Sequence, residues 1–189
     1  MRTKSVAFAA RRLAAGALFL PAAVAGQAVT VGGGVGTIGV SPSGTVGQLS
    51  VSYDAPLRGR SLWWAGVQLG RDANPGVASP SIRQSVSEMI VSVGPLLPVQ
   101  LSPRAKAFIG AGGYGVVRRY GEGQLISGGP ALTDAGTGGG DWGALGRAGL
   151  LLEVRPRWSV LVDSQLRVAV EGSERRNQPA FSVGLRRQW

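Results

Sequence analysis

Residues Trp158–Val168 read WSVLVDSQLRV. Trp158, Val160, Val162, Leu166 and Val168 fall on one parity, and Leu161, Asp163, Gln165 and Arg167 on the other. Apolar residues at every second position mark a strand whose two faces meet different surroundings. A helix would repeat every 3.6 residues, and no stretch of the mature chain shows that period with caps. One face of this strand carries an acid, an amide and a base, and the other is an almost unbroken apolar row. The fold turns on which face looks outward.

The same alternation recurs along the chain, bounded by Gly, Pro, Ser and Asp clusters. Eight strands are predicted: Val29–Val40, Val46–Tyr53, Ser61–Gly70, Ile82–Val93, Ala105–Arg118, Trp142–Val154, Trp158–Val168 and Ala180–Trp189. In the third, Trp63, Ala65, Val67 and Leu69 oppose Trp64, Gly66, Gln68 and Gly70. In the fourth, Ser85, Ser87 and Glu88 interrupt the pattern, as a bulge would. Short Pro- and Arg-bearing connections (Asp54–Arg60, Gly94–Arg104, Arg155–Arg157) alternate with other connections, of which Arg119–Asp141 is the longest and is rich in glycine. An even number of strands with alternating connections describes an up-and-down antiparallel sheet.

Composition narrows the chemistry. The chain has 189 residues, 31 of them Gly, with no Cys and no His. Thiolate nucleophiles, disulfides, imidazole bases and the common zinc sites are therefore excluded. Hydrophobic residues make up 44% and charged residues 16%, too apolar for simple disorder. No cofactor site is expected. Gly34–Gly39 and Gly110–Gly115 both spell G-x-G-x-x-G, but a dinucleotide site needs a following helix and a later acid, and neither has them.

The N-terminus reads as an export leader: basic residues through Arg12, an apolar stretch over Leu13–Val24, then Ala23-Val24-Ala25. Cleavage is expected after Ala25, alternatively after Ala28, leaving a barrel domain over 29–189. The apolar stretch of 12 residues is too short to span a bilayer as a helix. Arg2, Lys4, Arg11 and Arg12 leave with it, so 20 cations become 16 against 10 acids, and the formal charge falls from +10 to +6. The remaining Arg residues form no aromatic-rich basic face, and a nucleic-acid partner is not expected.

Two barrels fit an exported alternating chain. In lipid, every backbone polar group must be paired within the protein, so a sheet crosses only when closed, with its apolar face outward. A soluble barrel of the lipocalin kind turns the apolar face inward around a small ligand. The polar faces here combine Gly, Ser and Gln with a few charges, which suits a narrow membrane-barrel lumen. Tyr53, Trp63, Trp64, Phe108, Trp158 and Trp189 lie near the Pro/Arg turns and the C-terminus, and Tyr114, Tyr120 and Trp142 flank the long loop. Such placement predicts two interfacial girdles, with Tyr53, Trp63, Trp158 and Trp142 as their leading members.

The ending Phe181-Ser-Val-Gly-Leu-Arg-Arg-Gln-Trp189 resembles the C-terminal assembly signal of bacterial outer-membrane barrels. Ser182, Gly184 and the terminal aromatic Trp189 match, as do the alternating Val183 and Leu185. Arg187 stands where that signal usually has an apolar residue. The mature chain as a whole is similar to the small barrel domain of the outer-membrane protein A type, without a peptidoglycan-binding domain. The resemblance implies an all-β, eight-stranded antiparallel transmembrane barrel, with outer-membrane lipid and the assembly machinery as partners. It also implies a role in envelope integrity, adhesion or minor permeability, with the ligand of the loops unspecified. The lipases, deacylases and proteases among such barrels depend on a catalytic His, so no enzyme is expected. Arg147, Glu153, Asp163, Arg167 and Arg186 occupy the polar faces of the last three strands. In a closed barrel they are expected to share the lumen as an ion-pair network, since an unpaired charge there is costly.

Overall fold

The computed structural model describes residues 26–37, 45–57, 59–72, 82–83, 85–121, 123–125, 131–133, 136–137, 141–171 and 174–189. The expected leader, 1–25, and residues 38–40 of the expected first strand lie outside them. Eight strands form the body: β1 (Ala28–Thr37), β2 (Thr45–Pro56), β3 (Leu62–Asp72), β4 (Val86–Ser102), β5 (Ala105–Tyr120), β6 (Asp141–Arg155), β7 (Trp158–Glu171) and β8 (Glu174–Gln188). Each pairs antiparallel with its sequence neighbours, and β1 pairs with β8, closing the sheet into a barrel. Closure leaves no long free edge, the condition for a sheet in lipid. At the loop end, Gly136–Thr137 extends the pairing of β5. Ile82–Arg83, Gly123–Leu125 and Ala131–Thr133 form a small separate sheet there.

The apolar row of each strand faces out. Val31, Leu49, Trp63, Val67, Val91, Ile109, Leu150, Leu166, Phe181 and Val183 are all exposed, while Gln48, Gln68, Glu88, Ser92, Arg147, Asp163 and Arg167 are buried. Among the described residues 22 large hydrophobic side chains are exposed. That is far more apolar surface than a soluble monomer ordinarily shows to water. The inside is not uniformly polar, however. Trp64, Ile90, Leu96, Phe108, Tyr114, Val116, Leu145, Leu151 and Leu161 form an apolar cluster between the polar layers.

Two boundaries differ from expectation. The stretch from Gly94 to Arg104 was expected as a connection, but β4 continues through Pro95 and Pro98 to Ser102. Pairing with β3 stops at Leu62↔Leu96, so Pro98 falls on a stretch of edge where a missing N–H costs no ladder bond to β3. The fourth strand also has no break at Ser87 and Glu88. Burial alternates without interruption from Val86 to Leu96, and the bulge lies at Gln100–Ser102. Ser87 points out and Glu88 points in, so a polar residue on the apolar parity imitated an irregularity.

Glycine on β6 makes room for two rings of β5. Gly149 is registered with Phe108 and Gly143 with Tyr114. A Cβ at Gly149 would lie 2.5 Å from Phe108 Cζ, and one at Gly143 would lie 2.9 Å from Tyr114 Cε1. A Cβ at either position would also meet a carbonyl oxygen of β7, Val162 O or Val168 O, so both sites require glycine for the close approach of backbone as well as ring.

Candidate functional site in the barrel lumen

Period-two alternation sends one side chain inward every second residue, so each strand contributes rungs to the lumen. The charged and amide rungs gather in three tiers along the barrel. At the turn end, Arg186 Nε on β8 donates to Asp54 Oδ2 on β2 at 3.0 Å. This bond reaches across β1, where Thr30 is registered with both Arg186 and Ser52.

In the middle tier, Arg147 Nε on β6 donates to Asp163 Oδ1 on β7 at 3.0 Å. The Arg147 guanidinium lies 5.1 Å from the Trp64 ring centroid and 5.4 Å from that of Phe108. Aromatic faces attract a cation, so Arg147 is held from three sides. Asp163 Oδ2 accepts from Gln165 Nε2 at 2.7 Å, and Gln165 Oε1 accepts from Gln68 Nε2 at 3.0 Å. Gln68 belongs to β3 and Gln165 to β7, on opposite walls, so this chain of bonds crosses the whole lumen. The space left beside it is a cavity of about 20 Å³, bordered by Gly66, Ser92, Ser182 and Gly184. That is room for about one water.

Toward the loop end, Glu88 on β4 meets Arg118 on β5 at 3.8 Å and Arg167 on β7 at 3.7 Å. Gln48 Nε2 on β2 donates to Glu88 Oε1 at 3.2 Å. These contacts are longer than the 3.0 Å pairs below them. The buried charged residues number four arginines and three carboxylates among the described residues. Removing such charges from water costs several kcal/mol per ion, so only close pairing makes the arrangement tolerable.

The five charges expected to share one network are distributed differently. Arg147 and Asp163 meet each other, Arg186 meets Asp54, and Arg167 meets Glu88. Glu153 does not join them and is exposed at the turn end. By that point β6 has run past the lumen into the bulge at Glu153–Arg155, where parity no longer directs a side chain inward. Of the expected girdle, Trp63 and Trp142 point outward, while Tyr53 and Trp158 are half-buried on the same outward parity. Trp64, Phe108 and Tyr114 are instead buried in the lumen, and Tyr120 packs against Val46 and Val86. Nearness to a strand end does not specify a face; parity does. In the C-terminal segment, Ser182 and Gly184 border the lumen cavity. Trp189 is half-buried, with its N–H donating to Gln27 O at 3.1 Å.

Sequence reading missed Asp54, Gln48, Gln68, Glu88, Arg118 and Gln165 as tier members. Counting parity outward from Ser92 to Glu88, and from Tyr114 to Arg118, is the signal that finds two of them. Gly34 and Gly36 of the first glycine motif lie in β1, and Gly110–Gly115 lies wholly within β5. The second motif therefore does not stand at a strand-to-helix junction, and the first runs into residues 38–44, which lie outside the described residues.

No family model matches the chain, and no curated protein matches it in sequence. Solved structures do match in shape. Neisserial surface protein A superposes with a TM-score of 0.63 at 11% identity, covering 87% of this chain and 98% of that one. A major outer membrane protein from Thermus thermophilus gives 0.57 at 14% identity, with 86% and 99% covered. The N-terminal β-barrel domain of Pseudomonas aeruginosa OprF gives 0.54 at 10% identity, with 84% and 96% covered. The chain has the closed, eight-stranded, all-antiparallel fold of these small outer-membrane barrels.

Proposed function

We propose that this is an exported, non-enzymatic β-barrel of the bacterial outer membrane, with a role in envelope integrity or surface adhesion. The observation that carries the reading is the inverted facing of the barrel: large apolar side chains outside, ion pairs and amides inside. A soluble barrel binding an apolar ligand would need the reverse. Removal of the leader after Ala25 agrees with the register, because Ala28 is already paired with Asp54 and Gln188. Ser182, Gly184 and Trp189 would then serve recognition by the assembly machinery. The absence of His and Cys supports a non-catalytic role.

Among the roles that the fold allows, the crossed lumen favours a closed structural barrel over a pore. Gln68, Gln165, Asp163 and Arg147 join opposite walls, and the adjoining cavity of about 20 Å³ is no ion path. The test is expression of the full chain in a Gram-negative host. The protein is expected in the outer-membrane fraction, with a folded form that migrates differently from the boiled form on a detergent gel. Recovery from the periplasm without detergent would overturn the reading.

A further inference from the structure

Arg187 departs from the usual C-terminal pattern, and β8 places it on the outward parity with Val183 and Leu185. Its guanidinium lies 5.5 Å from the ring centroids of both Trp158 and Trp189. Trp158 is registered with Arg187 on one side and with Arg155 on the other. The carbonyl of Arg157 accepts from the Gln188 N–H at 2.9 Å. One arginine thus lies over the Trp158 indole, a second is its partner in register and a third precedes it in the turn, all three exposed at the turn end. Tyr53 stands at the same height, since Val29 is registered with both Tyr53 and Arg187. Tyr and Trp at one level, with apolar rows continuing behind them, mark a wet–apolar boundary.

The backbone at Arg157 is a second, independent sign. Its φ is 67°, the one positive value at a non-glycine residue among those described. A Pro followed by a left-handed residue is the type II turn pattern, which favours Gly or Asn at the second position. The turn between β2 and β3 uses Gly59 at φ 64°. Arginine at 157 carries a Cβ penalty that glycine would avoid. Among the described residues neither its guanidinium nor that of Arg155 makes a hydrogen bond or ion pair. A strained turn therefore presents an arginine whose guanidinium no described residue engages.

We propose that Arg155, Arg157 and Arg187, brought to one level at the turn end beside Trp158, bind the phosphodiester headgroup of an anionic phospholipid in the leaflet there. The proposal rests on the membrane reading above. A lipid fits better than a free anion because the cluster is open on its outer side, where Val160, Val162, Val183 and Leu185 continue as a surface for acyl chains. Arg supplies several N–H donors in a plane suited to phosphate oxygens, and the indoles restrict its motion.

The test uses the full chain, exported, extracted and reconstituted into nanodiscs of phosphatidylcholine with and without phosphatidylglycerol. Native mass spectrometry then reads the lipids that stay bound. The wild type is expected to retain phosphatidylglycerol in preference to phosphatidylcholine. Arg157→Gly and Arg187→Leu are each expected to weaken that retention about fivefold, the usual effect of one basic residue at a membrane surface. Arg157→Gly is also expected to keep or raise the unfolding midpoint, because it relieves the turn, which separates lost binding from lost folding. Equal retention of both lipids by the wild type would overturn the proposal. So would undiminished retention by both variants, or displacement of the lipid by inorganic phosphate. Failure of the membrane reading would show differently, as failure to assemble into discs of phosphatidylcholine alone.

Discussion

Replacing Asp163 with alanine removes the acceptor of two lumen hydrogen bonds, from Arg147 Nε at 3.0 Å and Gln165 Nε2 at 2.7 Å. Arg147 cannot follow its partner into solvent. It is 6% exposed and lies against Trp64 and Phe108. Its charge would stay buried without a counter-ion, and such single deletions cost about 3–5 kcal/mol. Asp163→Asn keeps the shape and one acceptor but not the charge, and should fall between the wild type and Asp163→Ala. The double variant Arg147→Met/Asp163→Leu removes both charges and refills the space, so it should lie within about 2 kcal/mol of the wild type. The assay is urea unfolding of the refolded barrel in lipid vesicles, followed by tryptophan emission, with Arg147→Met and Asp163→Leu made singly to close a double-mutant cycle with the double variant. A cost below about 1 kcal/mol for Asp163→Ala would place the pair among ordinary solvated ion pairs. Additivity of the two single changes would likewise refute coupling across the tier.

Three further outcomes follow from the same geometry. Gly149→Ala sets a methyl against the Val162 carbonyl oxygen as well as Phe108 Cζ and is expected to cost about 3 kcal/mol or more in the same unfolding assay. Glu88→Gln removes a carboxylate that faces both Arg118 and Arg167, and should destabilise the barrel by about 2–4 kcal/mol. The closed middle tier leads to negligible single-channel conductance for the wild type in planar bilayers. Gln68→Ala/Gln165→Ala, which cuts the bridge between walls, is expected to raise it measurably.

The architecture was legible in the sequence because period-two alternation is clear in most strands, Trp158–Val168 above all, and needs no tertiary context. The pairing of Val160 with Leu185 and of Val162 with Val183 could be drawn from the apolar rows alone once turns were placed. Strand ends were harder to read. Proline ordinarily ends a strand, but β4 outruns β3 and tolerates Pro98 on the exposed edge. The lumen tiers were only half visible. Arg147 and Asp163 lie on adjacent strands in register within two residues, so parity brings them together. Glu88 and Arg167 are separated by 79 positions and belong to walls that face each other across the lumen, a relation no local pattern records. Trp63 and Trp64 show the same limit from the other side. Both sit beside a turn, but one faces out and the other holds Arg147 from within.

That pair of neighbouring tryptophans offers the most direct test of the inverted barrel. Variants keeping a single tryptophan, at 63 or at 64, can be refolded into vesicles with and without brominated acyl chains. Trp63, 44% exposed on the outer face, is expected to be strongly quenched by the bromines, and Trp64, 2% exposed in the lumen, is expected to be nearly unaffected. Quenching of Trp64 with sparing of Trp63 would contradict the account, because the polar faces of the strands would then be the ones turned toward lipid.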